Sequence, residues 1–231
     1  MTTPVKAEFI ALPPLSEKAA RNRGLLAAGI MLAVIILDQV LKIYVKTHFY
    51  LGESYEIFPW FQIAFIQNNG MAFGWELGSK LLLTLLRIVT VAFLLYYVCK
   101  ICSRPEARTG YIVCLALIIA GAAGNLIDCM FYGLIFNNPM PPEVAQLFPP
   151  EGGYGEFLRG KVVDMLYFPL VSWTWPAWVP VVGGEYFLFF SPVFNLADSA
   201  ISVGLIVLLI FYSSQISQVP FLKKHAASAK N

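Results

Sequence analysis

The chain has 231 residues, 58% of them hydrophobic and 13% charged, with a net charge of +2 and a mean hydropathy of +0.68. Soluble domains carry roughly 25% charged residues, so much of this surface needs a solvent other than water. The small net charge argues against nucleic acid as a partner. Cys99 and Cys102 form the sole Cys-x-x-C, and the four cysteines read as small apolar residues, not as a redox or zinc site.

Four stretches are long and apolar enough to cross a hydrocarbon core, which takes about 20 residues. The first, 25–44, holds Asp38 and Lys42 and outruns a cleavable signal sequence, so it reads as an uncleaved anchor. The connection 47–80 is rich in aromatic and β-branched residues at 55–66, which favours short strands. The second span, 81–98, contains Arg87, for which the sequence supplies no role. The third, 111–131, carries the small residues Gly121 to Gly124, then Asn125 and Asp128. Small residues let helices or a peptide approach closely. A long Pro- and Gly-rich connection, 132–192, follows. It contains Asp164 and three tryptophans, Trp173, Trp175 and Trp178, of a kind that favours the membrane–water interface. The fourth span, 193–212, opens with Asn195 and Asp198. No internal repeat is visible.

Lysine and arginine set the expected orientation. Lys6, Lys18, Arg21 and Arg23 precede the first span, Lys100, Arg104 and Arg108 join the second to the third, and Lys223, Lys224 and Lys230 lie in the tail. An even number of spans puts these segments on one side, expected to be the cytoplasm. Residues 1–24 and 214–231 are then cytoplasmic, 25–213 form the membrane domain, and 47–80 and 132–192 lie outside.

Ionisable residues inside or beside a span are costly and point to function. On this topology Asp128, Asp164 and Asp198 converge at the outer boundary. Asn125 and Asn195 each precede an aspartate by three residues, which places amide and carboxylate on one helical face. Two carboxylates sharing a proton can hydrolyse a peptide bond, one acting as base and the other as acid. A His-Glu-x-x-His zinc motif and a Gly-x-Ser-x-Gly elbow are both missing from the sequence. Helix capping or pairing with Arg159 or Lys161 are the structural alternatives for these aspartates. Proton-relay transport and quinone-linked disulfide formation fit less well. Relay carboxylates belong near the midplane, and Cys99 and Cys102 fall at the cytoplasmic end.

Five motifs occur in order: Asp38 with Lys42, Asn68-Asn69-Gly70-Met71-Ala72-Phe73, Gly124-Asn125-Leu126-Ile127-Asp128, Val162-Val163-Asp164, and Phe194-Asn195-Leu196-Ala197-Asp198-Ser199. In this the chain resembles the prolipoprotein signal peptidases, the signal peptidase II family. The resemblance implies an all-α integral membrane aspartyl endopeptidase of four transmembrane helices, with a small extracytoplasmic β-cradle and a long outer insertion. It implies Asp164 and Asp198 as the catalytic dyad, with Asn68, Gly70, Asn125 and Asn195 holding substrate and Asp128 ordering the site; Asp38 and Lys42, one helical turn apart, either help to order it or form a stabilising buried pair without a catalytic role. It also implies diacylglyceryl-modified prolipoprotein substrates cut before the lipidated cysteine in the bacterial inner membrane, with membrane lipid as the surroundings, neither metal nor organic cofactor, and a monomer as a workable state. A lipoprotein-binding protein without activity is the alternative that the motifs leave open. Cys129 stands where the family usually has Arg, and Arg159 or Lys161 are the candidate substitutes. The insertions at about 134–160 and 170–190 exceed the family pattern and suggest an enlarged lid, cradle or partner surface.

Overall fold

The computed structural model describes residues 15–69 and 80–218; Gly70 and the rest of its motif to Phe73 lie outside the described residues. Ser16 caps the first helix, α1 (Glu17–His48), accepting from the Ala19 amide at 3.2 Å. α1 runs beyond the expected 25–44 at both ends, because neither flank contains a residue that breaks a helix. The other long helices are α2 (Lys80–Ile101) and α3 (Thr109–Ile127). α3 continues through a π-helical turn, Asp128–Tyr132, into the short α4 (Gly133–Ile135). α5 (Leu196–Phe211) and α6 (Ser213–Gln218) follow. Among the described residues three helices, the third counted to Ile135, are long and apolar enough to cross a membrane; α5 is apolar but has 16 residues.

α3 is the hub. Its apolar window is 67% buried, against 11% for α1 and 17% for α2, and α1, α2 and α5 all pack on it. The outward faces of the surrounding helices present Leu32, Val40, Leu86, Phe93, Ile206 and Ile210. Such faces have no place in water and match hydrocarbon. α3 and α5 come together through glycine. A Cβ built on Gly121 would collide with the Ala197 carbonyl, and one on Gly204 would lie 2.8 Å from the Cys114 carbonyl oxygen.

A four-stranded antiparallel sheet sits at the end of the bundle where α1 and α3 finish and α2 and α5 begin. Its order is β1 (Ser54–Phe58), β2 (Phe61–Asn68), β3 (Val162–Tyr167), β6 (Val193–Phe194). The strands expected within 55–66 are therefore present; a third comes from the long connection and a fourth from the start of the expected fourth span. Val163 and Met165 of β3 point into a core with Val45, Phe65, Tyr132 and Phe136. Strand alternation turns Asp164 to the opposite face. The fourth helix begins three residues later than the expected 193, because Val193 and Phe194 pair with Tyr167 and Leu166 and Asn195 serves as its N-cap. A second sheet, β4 (Val171–Thr174) with β5 (Tyr186–Phe189), forms a hairpin between β3 and β6.

The 136–161 segment is held to the bundle by Lys46. This ammonium is buried and lies 5.4 Å from the Phe65 ring centroid, 5.2 Å from Phe136 and 5.4 Å from Tyr154. One cation thus joins α1, the sheet and the insertion.

Gly121→Ala is expected to destabilise the protein by about 1–3 kcal/mol through overpacking of the α3–α5 contact. Gly29→Ala, where a Cβ meets nothing within 4 Å, should be neutral or stabilising. Thermal unfolding in detergent compares the two.

Candidate active site

The site grows from one buried ammonium. Lys42 Nζ has three protons, and three acceptors surround it: Asp38 Oδ2 at 2.9 Å, Asp128 Oδ2 at 2.8 Å and Asn125 Oδ1 at 2.8 Å. Asp38, Lys42 and Asp128 are fully buried. Asp38 Oδ1 accepts from the Ala197 amide at 2.9 Å, placing a carboxylate at the N-terminus of α5, where the helix dipole favours it. Gln39 Nε2 lies 2.9 Å from Asp128 Oδ1 and 3.2 Å from Asp38 Oδ2, and its oxygen accepts from the Tyr132 hydroxyl at 3.1 Å. Asp128 also accepts from the Val163 amide at 3.3 Å, which joins the bundle to β3.

From this centre the order is passed outward by two asparagines. The oxygen of Asn125 is committed to Lys42, so its amide nitrogen must face the other way, and it donates to Asp198 Oδ1 at 2.8 Å. The oxygen of Asn195 is committed to capping α5, accepting from the Asp198 amide at 2.9 Å. Its nitrogen therefore faces β3 and donates to Asp164 Oδ1 at 2.7 Å, with Asn125 Oδ1 also within 3.1 Å. Asp198 completes the capping box by accepting from the Asn195 amide through Oδ2 at 3.3 Å. Asn68 of β2 donates to Asp164 Oδ2 at 3.2 Å. Register explains that contact: Asp164 lies opposite Ile66, and Asn68 is two residues along on the same face.

Asp164 is 3% exposed. Burial, then the nearby Asp198 carboxylate, push its carboxyl up to about 7. Asp198 is only half-buried and borders a cavity of about 380 Å³ between α2, α3 and α5. Leu83, Leu86 and Arg87 of α2, Asn125 of α3, and Ile201 of α5 also line it. The walls are mostly apolar, with Arg87, Thr90 and Asn125 as polar groups besides the Asp198 carboxylate. That suits an apolar segment brought to a reacting bond.

Asp38, Lys42, Asn68, Asn125, Asp128, Asp164, Asn195 and Asp198 thus form one connected network, and Gly70 lies outside the described residues. Three members went unassigned from sequence. Gln39 and Tyr132 are uncharged and sit within apolar runs, where nothing sets them apart. Arg87 was visible as a charge inside a span, but its target was not. Its Nη1 donates to Cys129 Sγ at 3.1 Å. The two expected substitutes lie elsewhere: Arg159 pairs with Glu156 in solvent at 3.3 Å, and the Lys161 ammonium lies 5.8 Å over the Tyr154 ring. Among the described residues no group of three or more His, Cys, Asp or Glu is disposed to hold a metal ion.

A family model described as signal peptidase (SPase) II matches residues 30–214. The lipoprotein signal peptidase of Porphyromonas gingivalis is 50% identical over 195 residues, covering 84% of this chain and 86% of that protein. That of Amoebophilus asiaticus is 35% identical over 196 residues, covering 82% and 78%. A bacterial membrane enzyme solved by the in meso method at 1.9 Å superposes with a TM-score of 0.53 and 25% identity, over 80% of this chain and 90% of that one. A second such structure, at 2.3 Å, gives 0.55 and 23% over 86% and 92%, a likeness of fold alone.

Lys42→Met should cost about 3–5 kcal/mol, because it strands two buried carboxylates. Adding Asp38→Asn and Asp128→Asn to it should recover part of that loss in thermal unfolding, whereas a Lys42 that merely fills space predicts no recovery.

Proposed function

The chain belongs to the signal peptidase II family, and from that premise we propose that it removes signal peptides from lipoprotein precursors, with Asp164 and Asp198 activating water. The observation that carries this reading is the pair of asparagines, Asn125 and Asn195, that orient one carboxylate at the start of α5 and the other on β3. The substrate is a diacylglyceryl-modified prolipoprotein, cut on the N-terminal side of the lipidated cysteine. Its signal helix lies in the cavity between α2, α3 and α5.

In the mechanism Asp164, its carboxyl pushed up to about 7 by burial and the neighbouring Asp198, supplies the proton as acid, and Asp198 serves as the base. Asp198 takes a proton from water, and the water oxygen bonds to the scissile carbonyl carbon. Asp164 gives its proton to the carbonyl oxygen, producing a neutral gem-diol. Asp198 then protonates the departing amine as the C–N bond breaks, and a diol proton returns to Asp164 as the new carboxyl group forms. The dyad ends as it began. Asn68, Asn125 and Asn195 hold the carboxylates and offer polar contacts to the peptide backbone; Asp38, Lys42 and Asp128 hold the asparagines. Neither a metal nor an organic cofactor enters this scheme.

Arg87 is the cation of the cavity and stands in for the arginine that Cys129 replaces, reached from α2 instead of from α3. In this reading α5 is the fourth crossing, residues 1–24 and 214–231 are cytoplasmic, and the dyad lies beside the outer leaflet of the bacterial inner membrane, as the Lys and Arg distribution supports. Among the described residues one chain supplies the groups of the site, which supports a monomer as the working state.

Cleavage of a synthetic lipidated precursor by the reconstituted protein, followed by mass, tests the scheme. Asp164→Asn and Asp198→Asn should each lose at least about 100-fold in rate, the scale of an acid–base contribution. Asp128→Asn should retain measurable cleavage, and a chelator should leave the parent unchanged. A parent that binds the precursor without cutting it is a lipoprotein-binding protein instead. The raised Asp164 value fixes the sign of the pH dependence. The folded carboxyl holds a proton that the unfolded chain releases near pH 4, so its stabilising contribution is complete below that and is lost as pH rises through about 7. The acid is lost over the same range, and the rate should fall above about pH 7. Arg87→Gln should raise KM more than it lowers kcat, and Arg87→Lys should restore part of the difference.

A further inference from the structure

The β4–β5 hairpin has two unlike faces. Antiparallel register pairs Val171 with Phe189 and Trp173 with Phe187 on one side, and Ser172 with Leu188 and Thr174 with Tyr186 on the other. On the first side the Trp173 and Phe187 rings lie 4.5 Å apart, with Trp175 at 5.4 Å from Trp173. That face is not packed on the protein: Val171 is 54% exposed and Phe189 52%. Every residue of both strands is exposed except Leu188, which is half-buried. An isolated two-stranded hairpin with an apolar face is barely stable in water. The hairpin tip is nonetheless regular, with the Trp175 and Glu185 backbones bonded at 2.9 Å, and it holds out Trp178 at 82% exposure and Val181 at 98%.

Three features select the occupant of this face. Glu185 is the sole charged residue from 171 to 190, whereas a protein-binding rim is normally polar and charged. The hairpin joins β3 to β6 through three-residue links, so its root lies beside the first turn of α5, where an apolar helix face meets the sheet. Ring contacts also continue from that root: Phe190 edge-on to Phe194 at 6.2 Å, then Phe194 stacked with Phe168 at 5.6 Å and Phe168 with Trp60 at 6.4 Å. The aromatic surface therefore runs unbroken from the hairpin root across the sheet to the β1–β2 turn. Uncharged, tryptophan-rich surface bordering a hydrocarbon-facing helix suits the headgroup–acyl boundary of a bilayer.

We propose that the β4–β5 hairpin is a lipid-seated flap, its Trp173, Trp178, Phe187 and Phe189 face lying in the interfacial layer of the same membrane leaflet that borders the candidate site. This rests on the membrane-spanning reading and adds a contact outside the bundle. Since the flap connects the strand of Asp164 to the helix of Asp198, its seating also fixes the height of both carboxylates relative to the lipid.

Tryptophan fluorescence of the full chain in phosphatidylcholine–phosphatidylglycerol vesicles tests this. A variant keeping Trp178, with Trp60, Trp75, Trp173 and Trp175 changed to Phe, reports the tip directly. The difference between the parent and Trp178→Phe gives the same signal should the multiple variant fail to fold. Lipid bearing a nitroxide at the headgroup or upper acyl chain should remove most of the Trp178 emission, and aqueous iodide should remove little. Quenching by iodide and not by lipid puts the hairpin in water and overturns the proposal. Protection from both quenchers means a protein covers the face, which also overturns it. Cleavage measured on the same vesicles is a separate readout. A chain that cleaves with Trp178 open to iodide loses the flap and keeps the enzyme, and the reverse result does the opposite.

Discussion

The three hydrogen bonds of the Lys42 ammonium are the constraint on which the site depends. A lysine buried without partners is one of the least favourable groups a membrane protein can hold. Here each proton has an acceptor, and the acceptors come from α1 and α3. Because Asn125 spends its oxygen on that cation, the direction of its amide is no longer free, and Asp198 receives an N–H whose position is decided two contacts away. The ion pair that Asp38 and Lys42 suggest from their spacing is thus a triad with Asp128, tied through Asn125 to Asp198.

The other carboxylate is oriented by a different device with the same logic. Asn195 ends the β6 strand and caps α5, and the oxygen that caps the helix leaves only the nitrogen for Asp164. Helix start and site geometry are therefore one feature. The outcome is two carboxylates in unlike surroundings: Asp164 in a buried strand between Val163 and Met165, and Asp198 half-open to the cavity. Unlike surroundings separate the acid from the base in a pair of chemically identical groups.

Much of this was legible in the sequence, for reasons that are physical. Long apolar runs report spans because a bilayer admits little else. The i, i+3 asparagine–aspartate spacings report a shared helical face, and the eight candidate site residues that fall among those described join a single network. What escaped depends on contacts between distant parts of the chain. Arg87 sits on α2 and meets Cys129 on the π-helical turn, a pairing that no spacing encodes. Asp164 lies in a strand whose partner is nearly a hundred positions earlier, so the register with Ile66 cannot be read locally. The expected start of the fourth helix was early because Val193 and Phe194 are as apolar as a helix would be, and pairing to β3 decided their conformation.

The Lys46 cage has a bearing on the conditions the enzyme can meet. Surface ion pairs such as Arg159 with Glu156 weaken as ions accumulate, since mobile charge screens them over about 10 Å at 0.1 M salt. A cation enclosed by three aromatic rings in a dry pocket is largely out of reach of those ions. The insertion is therefore clamped to α1 by a contact that added salt weakens little, and the 136–161 segment keeps its place on the bundle in brine as in fresh water.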